Sequence, residues 1–187
     1  VLEANVHDPA ALARLLPGHD AVINLVAILQ GDEAAFERVH VALPKTLAAA
    51  CAATGVRRVV HISALGAAED GPSRYQRSKA RGEAVLRGAG LDLTILRPSV
   101  IFGAGDRFLN LFADLQAIAP LVPLAGAGAR LQPVWVEDVA AAVVAALVDR
   151  DQPMSAIGQT FECAGPEVFT LAELVRLAGH HGSRARP

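Results

Sequence analysis

Cysteine is scarce in this chain: Cys51 and Cys163 are the only two, far apart, and each lies inside an apolar pattern. There is no C-x-x-C pair and no other metal-ligand spacing. The sequence therefore supports neither a disulfide framework nor a structural metal site, and two buried free thiols in a reducing compartment are expected. Aromatic residues make up only 4% of the chain, so its apolar half is mostly Ala, Val and Leu, small enough for helices to lie close on a sheet. Neither sign of charge dominates. A formal net charge of -2 argues against a nucleic-acid binder and against a polybasic membrane binder. Long hydrophobic runs are missing too: the longest, residues 139–148, is too short to span a bilayer and is flanked by Glu137, Asp138 and Asp149. The opening Val1-Leu2-Glu3 carries neither Met nor a signal-peptide pattern and reads like the interior of a longer chain.

What is present is an alternation of strand and helix signals. Residues 1–6 read as a short strand. Asp8 is placed to cap a helix with Pro9 at its first position, and Pro17-Gly18 closes that helix. Residues 21–29, AVINLVAIL, suit a strand buried on both faces, as in a parallel sheet. A long helix is expected from Asp32 to Thr54 with Gly55 beyond its end; Pro44 inside it should kink it and free the carbonyl of His40 for another partner. Strands at 56–63 and 91–96 flank a helix over 73–88. The order β-α-β-α-β-α-β predicts a doubly wound parallel sheet of the α/β class, whose ligands sit outside the carboxyl ends of the strands. Asn24, Ser63, Tyr75 and Arg97 all fall at or just after such ends and are expected to converge on one cleft.

The second half is looser. A turn at 103–106, a helix at 108–118, a loop at 120–128, a strand at 131–136 and a helix at 137–148 are expected. A strand at 159–164 follows, then a helix from Thr170 to Ala178 that opens with a Thr170-x-x-Glu173 capping box. Acids at Glu137 and Asp138 suit a helix N-terminus without further purpose. Trp135 is assigned to the core, and residues 180–187, with His180-His181, to an unstructured tail. Residues 1–98 are expected to form a partial dinucleotide-binding core. Residues 99–187 are expected to form a partial C-terminal lobe, with strands returning to that core.

Tyr75-Gln76-Arg77-Ser78-Lys79 carries the chemistry. Tyr and Lys four apart on a helix share a face. The ammonium there is expected to lower the phenol pKa from its usual value near ~10. A phenol so tuned moves the proton of an alcohol or ketone while a nicotinamide moves the hydride. Taken alone the pair is weak, since Tyr-x-x-x-Lys also occurs on ordinary solvated helix faces.

Order and spacing over nearly the whole chain say more. The segments AVINLVAIL, RVVHISALGA, YQRSK, LTILRPSVIFGAGD, PVWVEDVAAAVVAAL and GQTFECAGPEVFTLAELV resemble the extended and atypical short-chain dehydrogenase/reductases, the NAD(P)-dependent epimerase/dehydratase-like proteins. HVALPKTLAAAC and PSRYQRSKARGE point within them to the nucleotide-binding accessory subunit of respiratory complex I and its bacterial relatives. The resemblance implies a Rossmann-like sheet and a G-x-x-G-x-x-G turn for the pyrophosphate, which this sequence lacks; a chain missing its first βαβ unit is expected.

The resemblance also implies the roles of individual residues. Asn5 would meet the adenine amino group, with a turn-capping amide as the alternative. Asn24, Leu25, Val26 and Ala27 would lie along the adenine ribose. Lys79 would bond the nicotinamide ribose, and Pro98, Ser99 and Val100 would pass the carboxamide. Tyr75, Lys79 and Ser63 are the catalytic candidates. The family's catalytic Ser/Thr falls at Leu65, however, which cannot hydrogen-bond a substrate oxygen, and Ser63 is more simply read as satisfying backbone at the strand end. His40 stands where a helix Asn often supports a proton relay; the alternative is a packed or solvent-facing histidine. Arg97 either reaches substrate or bridges to the second lobe. No metal is implied. The cofactor would be NADP or NAD.

Two functions follow from the resemblance. One is a cofactor-holding accessory role among respiratory-complex subunits or in quinone-linked metabolism, cytoplasmic or peripheral on the inner side of the membrane. The other is an NAD(P)-dependent epimerase, dehydratase or reductase acting through Tyr75 and Lys79 on a sugar nucleotide or small ketone.

Overall fold

The structure, a computed structural model, describes residues 1–118, 123–148 and 155–182. In chain order its elements are α1 (Pro9–Leu15), β1 (Ala21–Asn24), α2 (Glu33–Glu37), a π-helical turn (Arg38–Ala42), α3 (Leu43–Thr54), β2 (Arg58–Ile62) and α4 (Arg74–Arg87). Then come β3 (Asp92–Pro98), β4 (Ile101–Phe102), α5 (Leu109–Ile118), β5 (Arg130–Leu131), β6 (Val134–Trp135), α6 (Val136–Val148), β7 (Thr160–Cys163), β8 (Phe169–Thr170) and α7 (Leu171–Gly182). They form two compact units, Val1–Arg97 with Ala142–Glu162 and Pro98–Ala141 with Cys163–Pro187.

The first unit is a Rossmann-like sheet in the order β1-β2-β3-β7. β1, β2 and β3 are parallel, with Asn24 opposite His61 and His61 opposite Ile95. Backbone bonds from Ile95 to Gln159 and from Ser99 to Cys163 rise in step, so β7 runs parallel as well. Alternation along each strand divides the side chains between two faces. Val59, Leu93 and Ile95 pack with Leu12, Leu16, Leu47, Cys51 and Leu86 from α1, α3 and α4. On the opposite face the buried Arg58 donates to Thr94 Oγ1 at 2.7 Å and to the Ala146 carbonyl of α6, so helices cover both sides.

Local chemistry sets the boundaries. Asp8 caps α1 through the Ala10 N–H, with Pro9 at the first position as expected. Residues 1–6 form no strand: Asn5 turns the chain instead, its Oδ1 accepting from His7 N–H and its carbonyl from Asp8 N–H. β1 stops at Asn24, well short of residue 29. The Asn24 Oδ1 accepts the Val26 N–H and bends the chain off the sheet, leaving Leu25 67% and Leu29 78% exposed.

The expected kink at Pro44 takes the form of the π turn. Pro44 has no N–H, and its ring excludes the carbonyl four residues back. The turn widens by one residue, Leu43 N–H donating to Arg38 O. The freed His40 carbonyl rests against Gly82 of α4, where any Cβ would overlap it. Gly55 then ends α3 at φ +75°. Ser73 and Gln76 open α4 with a reciprocal capping box.

In the second unit α5 packs on α7, with Gln116 Nε2 donating to the Val175 carbonyl at 2.7 Å. The strand expected at 131–136 is two short bridges separated by Gln132-Pro133: β5 pairs antiparallel with β8 and β6 parallel with β4. Trp135 is not core but 49% exposed, because its neighbour Val134 takes the inward position and alternation turns Trp135 out. Cys163 is only half-buried, whereas Cys51 is buried. The Thr170–Glu173 box forms as expected. α7 continues through His180 and His181 to Gly182, since the Leu171–Ala178 periodicity carries the helix on; residues 183–187 lie outside the described residues.

Candidate functional site

Asn24, His61 and Ile95 form one row across the carboxyl half of the sheet, and the first two touch: Asn24 Nδ2 lies 3.1 Å from His61 Nδ1. Asn24 Oδ1 is engaged by Val26 N–H, so its amide nitrogen is the group facing His61. Nδ1 therefore accepts, and the ring proton sits on Nε2, which has no hydrogen-bond partner and is buried. Burial, then the charge of Lys79, pushes the His61 pKa down to about 3, so the ring is neutral.

Lys79 is 2% exposed. Its Nζ donates to the Ile62 carbonyl at 2.7 Å, at the end of β2. Burial lowers its pKa to about 8, against the opposing pull of Glu83. Tyr75, one turn earlier, is half-buried, and burial raises its phenol pKa. The expectation that Lys79 lowers the Tyr75 pKa is overturned. The ammonium is directed at a backbone carbonyl and faces Glu83, and desolvation of the phenolate is the effect that remains.

Glu83 is wholly buried and bound by two arginines. Arg97 donates Nε to Oε1 at 2.9 Å and Nη2 to Oε2 at 2.7 Å, and Arg87 Nη2 approaches Oε2 at 2.9 Å. Burial pushes its carboxyl pKa up, but the Arg97 hydrogen bonds, the facing Ser63 hydroxyl and the two guanidinium charges more than offset this and hold it down. Arg97 is thus held on Glu83 within the first unit. The Ser63 hydroxyl does not satisfy strand-end backbone. The Ser63 N–H donates to Leu96 O, while its buried Oγ makes no well-formed hydrogen bond and faces the Glu83 carboxylate. Leu65 is half-buried and offers no polar atom.

His40, on the π turn, is 3% exposed. Its Nε2 accepts the Ile28 N–H at 3.1 Å, so Nδ1 carries the proton and donates to Ser78 Oγ at 2.8 Å. Ser78 in turn donates to the Tyr75 carbonyl at 2.8 Å. The Phe36, His40 and Tyr75 rings pack together, with centroids 5.4 to 6.4 Å apart. Burial and Lys79 lower the His40 pKa to about 4.

Asn24, Ser63, Tyr75 and Lys79 are therefore grouped at the carboxyl ends of β1 and β2 and the start of α4. Leu25, Val26 and Ala27 are exposed there and free to lie along a ligand. Asn5 is exposed and caps its own turn. Pro98 ends β3, while Ser99 and Val100 bond Cys163 and Val134 within the second unit. Sequence reasoning missed His61, Ser78 and Glu83. The signal for His61 and Arg58 was polar residues inside a strand otherwise apolar on both faces, which requires buried partners.

A parallel sheet flanked by helices, with an exposed loop after β1 and a buried lysine one turn beyond a tyrosine, has the architecture of the Rossmann class. A family model described as NAD(P)H-binding matches residues 1–151, and the chain belongs to that family. The chain is 37% identical over 178 residues to mouse NADH dehydrogenase [ubiquinone] 1 alpha subcomplex subunit 9, mitochondrial, covering 94% of this chain and 46% of that protein. It is 34% identical over 147 residues to the ceramide reductase of Caulobacter vibrioides, covering 78% of this chain and 46% of that protein. It thus spans less than half the length of either relative. Among solved structures, a dTDP-glucose 4,6-dehydratase from Streptomyces venezuelae with NAD and DAU bound superposes with a TM-score of 0.80 at 22% identity. That match covers 94% of this chain and 61% of the dehydratase, and it shows the shared fold. No described helix is long and apolar enough to cross a membrane.

Proposed function

We propose that this chain is the nucleotide-holding part of an accessory protein of respiratory complex I or of quinone-linked metabolism, in which a bound nicotinamide dinucleotide serves as a structural ligand. The observation that carries this is the pairing of an intact Lys79 with a site that lacks the family's Ser/Thr partner for Tyr75. Leu65 stands at the place of the family's Ser/Thr, the Tyr75 phenol is raised and not lowered, and Ser63 is turned to Glu83. When bound, the nicotinamide would supply hydride chemistry. Around it, Asn24 to Ala27 would flank the adenine ribose, Lys79 would hold the nicotinamide ribose, and Pro98 to Val100 would pass the carboxamide. None of the described residues provides a pyrophosphate turn. The mouse relative supports the accessory role; a cytoplasmic position, peripheral on the inner face of the membrane, accords with it.

A second reading is favoured by the Caulobacter relative, whose name is a ceramide reductase, together with the intact Tyr75/Lys79 pair: ketone reduction with Tyr75 as proton donor. The test purifies the full-length protein and identifies its nucleotide. The accessory reading expects NAD(H) or NADP(H) to copurify, to persist in Tyr75→Phe, and not to turn over with ketones or long-chain oxo-lipids. Turnover that disappears in Tyr75→Phe overturns it and establishes the reductase.

A further inference from the structure

We propose that His40 is a positioning residue that bridges the loop after β1 to the first turn of α4, so that the loop bearing Leu25 to Ala27 and the turn bearing Tyr75 move as one body. The proposal rests on the cofactor reading above for its ligand, but its geometry is independent of it.

Imidazole has two ring nitrogens on opposite sides, and here each faces a different element. Nε2 accepts from the Ile28 backbone N–H, and Nδ1 donates to Ser78, whose hydroxyl passes the contact on to the Tyr75 carbonyl. The ring also packs edge-on against Tyr75 at 5.5 Å and against Phe36 at 5.4 Å. The backbone that carries the histidine is held in place, because the π turn follows from Pro44 and the His40 carbonyl is wedged against Gly82. A residue that merely filled space would need neither nitrogen, and a cap for the loop would need only one. A neutral ring with one donor and one acceptor is the species both contacts require.

The two arms are separable by substitution. An asparagine amide nitrogen falls near Nδ1 and a glutamine amide oxygen near Nε2. His40→Asn therefore keeps the Ser78 arm, His40→Gln keeps the Ile28 arm, and His40→Phe keeps neither. Ser78→Ala cuts the bridge from the α4 side without touching the loop.

The experiment follows backbone hydrogen exchange at Ile28 and the ring signals of labelled Tyr75 in the full-length protein, with and without NADH or NADPH, alongside their dissociation constants. Ser78→Ala is expected to speed Ile28 exchange several-fold in the ligand-free protein, although residue 78 does not touch Ile28. Affinity for the dinucleotide should fall about tenfold in His40→Phe and to a similar degree in each one-armed variant. Ile28 exchange unchanged in Ser78→Ala, or wild-type affinity in either one-armed variant, overturns the bridge. If the wild-type protein binds neither NADH nor NADPH, the cofactor reading fails, and the Ile28 response to Ser78→Ala still decides the bridge.

Discussion

Lys79 and Glu83 lie one turn apart on α4, both buried, and Lys79 bears on what Tyr75 can do. Lys79 is held on the Ile62 carbonyl, so the phenol meets desolvation without a neutralising partner. In the ligand-free protein Tyr75 is therefore expected to titrate above ~10, the value of a free phenol, as read from its labelled ring carbon with Tyr75→Phe for assignment. Titration below that value would restore the tuned proton donor. Glu83 offers a second test. Removing its charge leaves the partly buried Arg97 guanidinium without its bidentate acceptor. Glu83→Gln should destabilise the fold by about 3 kcal/mol, seen as a lower urea midpoint with an unchanged slope. A shift within the scatter of surface substitutions would show that the pair is solvent-screened. Neither residue's role could be read in advance. Spacing put Tyr75 and Lys79 on one face, but the direction of Nζ depends on where β2 ends. Glu83 looked like any helix-face acid until β3 brought Arg97 beside it.

At the scale of elements, the helices and the sheet's parallel order were legible because capping and periodicity are local: Asp8, Ser73 and Thr170 all cap as their types require. Strand lengths were less legible, since AVINLVAIL is apolar throughout while one side-chain bond at Asn24 ends β1 after four residues. Pro44 announced a kink; that it would be a π turn facing a glycine 38 residues further on is a tertiary fact. The contact makes a prediction opposite to propensity. Gly→Ala within a helix ordinarily stabilises by up to ~1 kcal/mol. At Gly82 the new Cβ would overlap the His40 carbonyl, which is backbone and cannot swing away. Gly82→Ala is expected to destabilise by about 2 kcal/mol or more, checked by thermal unfolding. A rise in the midpoint would mean that the π turn relaxes freely.

For the molecule as a whole, the buried histidines dictate how stability depends on acidity. His40 and His61 are both held neutral, with pKa values of about 4 and about 3, first by burial and then by Lys79. Their unfolded values lie near ~6.5. Between these limits the unfolded chain binds more protons than the folded one, so stability rises with pH through that window. It is fully present above ~6.5 and is lost as pH falls toward about 4 for His40 and about 3 for His61. The slope reaches at most about 1.4 kcal/mol per pH unit for each histidine. Glu83, held below its usual value, acts in the same sense but only lower, its contribution disappearing as pH falls through its depressed pKa. The decline should therefore begin near pH ~6.5, well above the carboxylate range. Urea unfolding at steps between pH 7.5 and 4.5 measures it, and His61→Gln, which removes one of the two groups, should flatten the upper part of the curve. A stability that holds level until the carboxylates titrate would mean that both rings take up protons in the folded protein as easily as in the unfolded chain, and with that the neutral bridge at His40 would lose its footing.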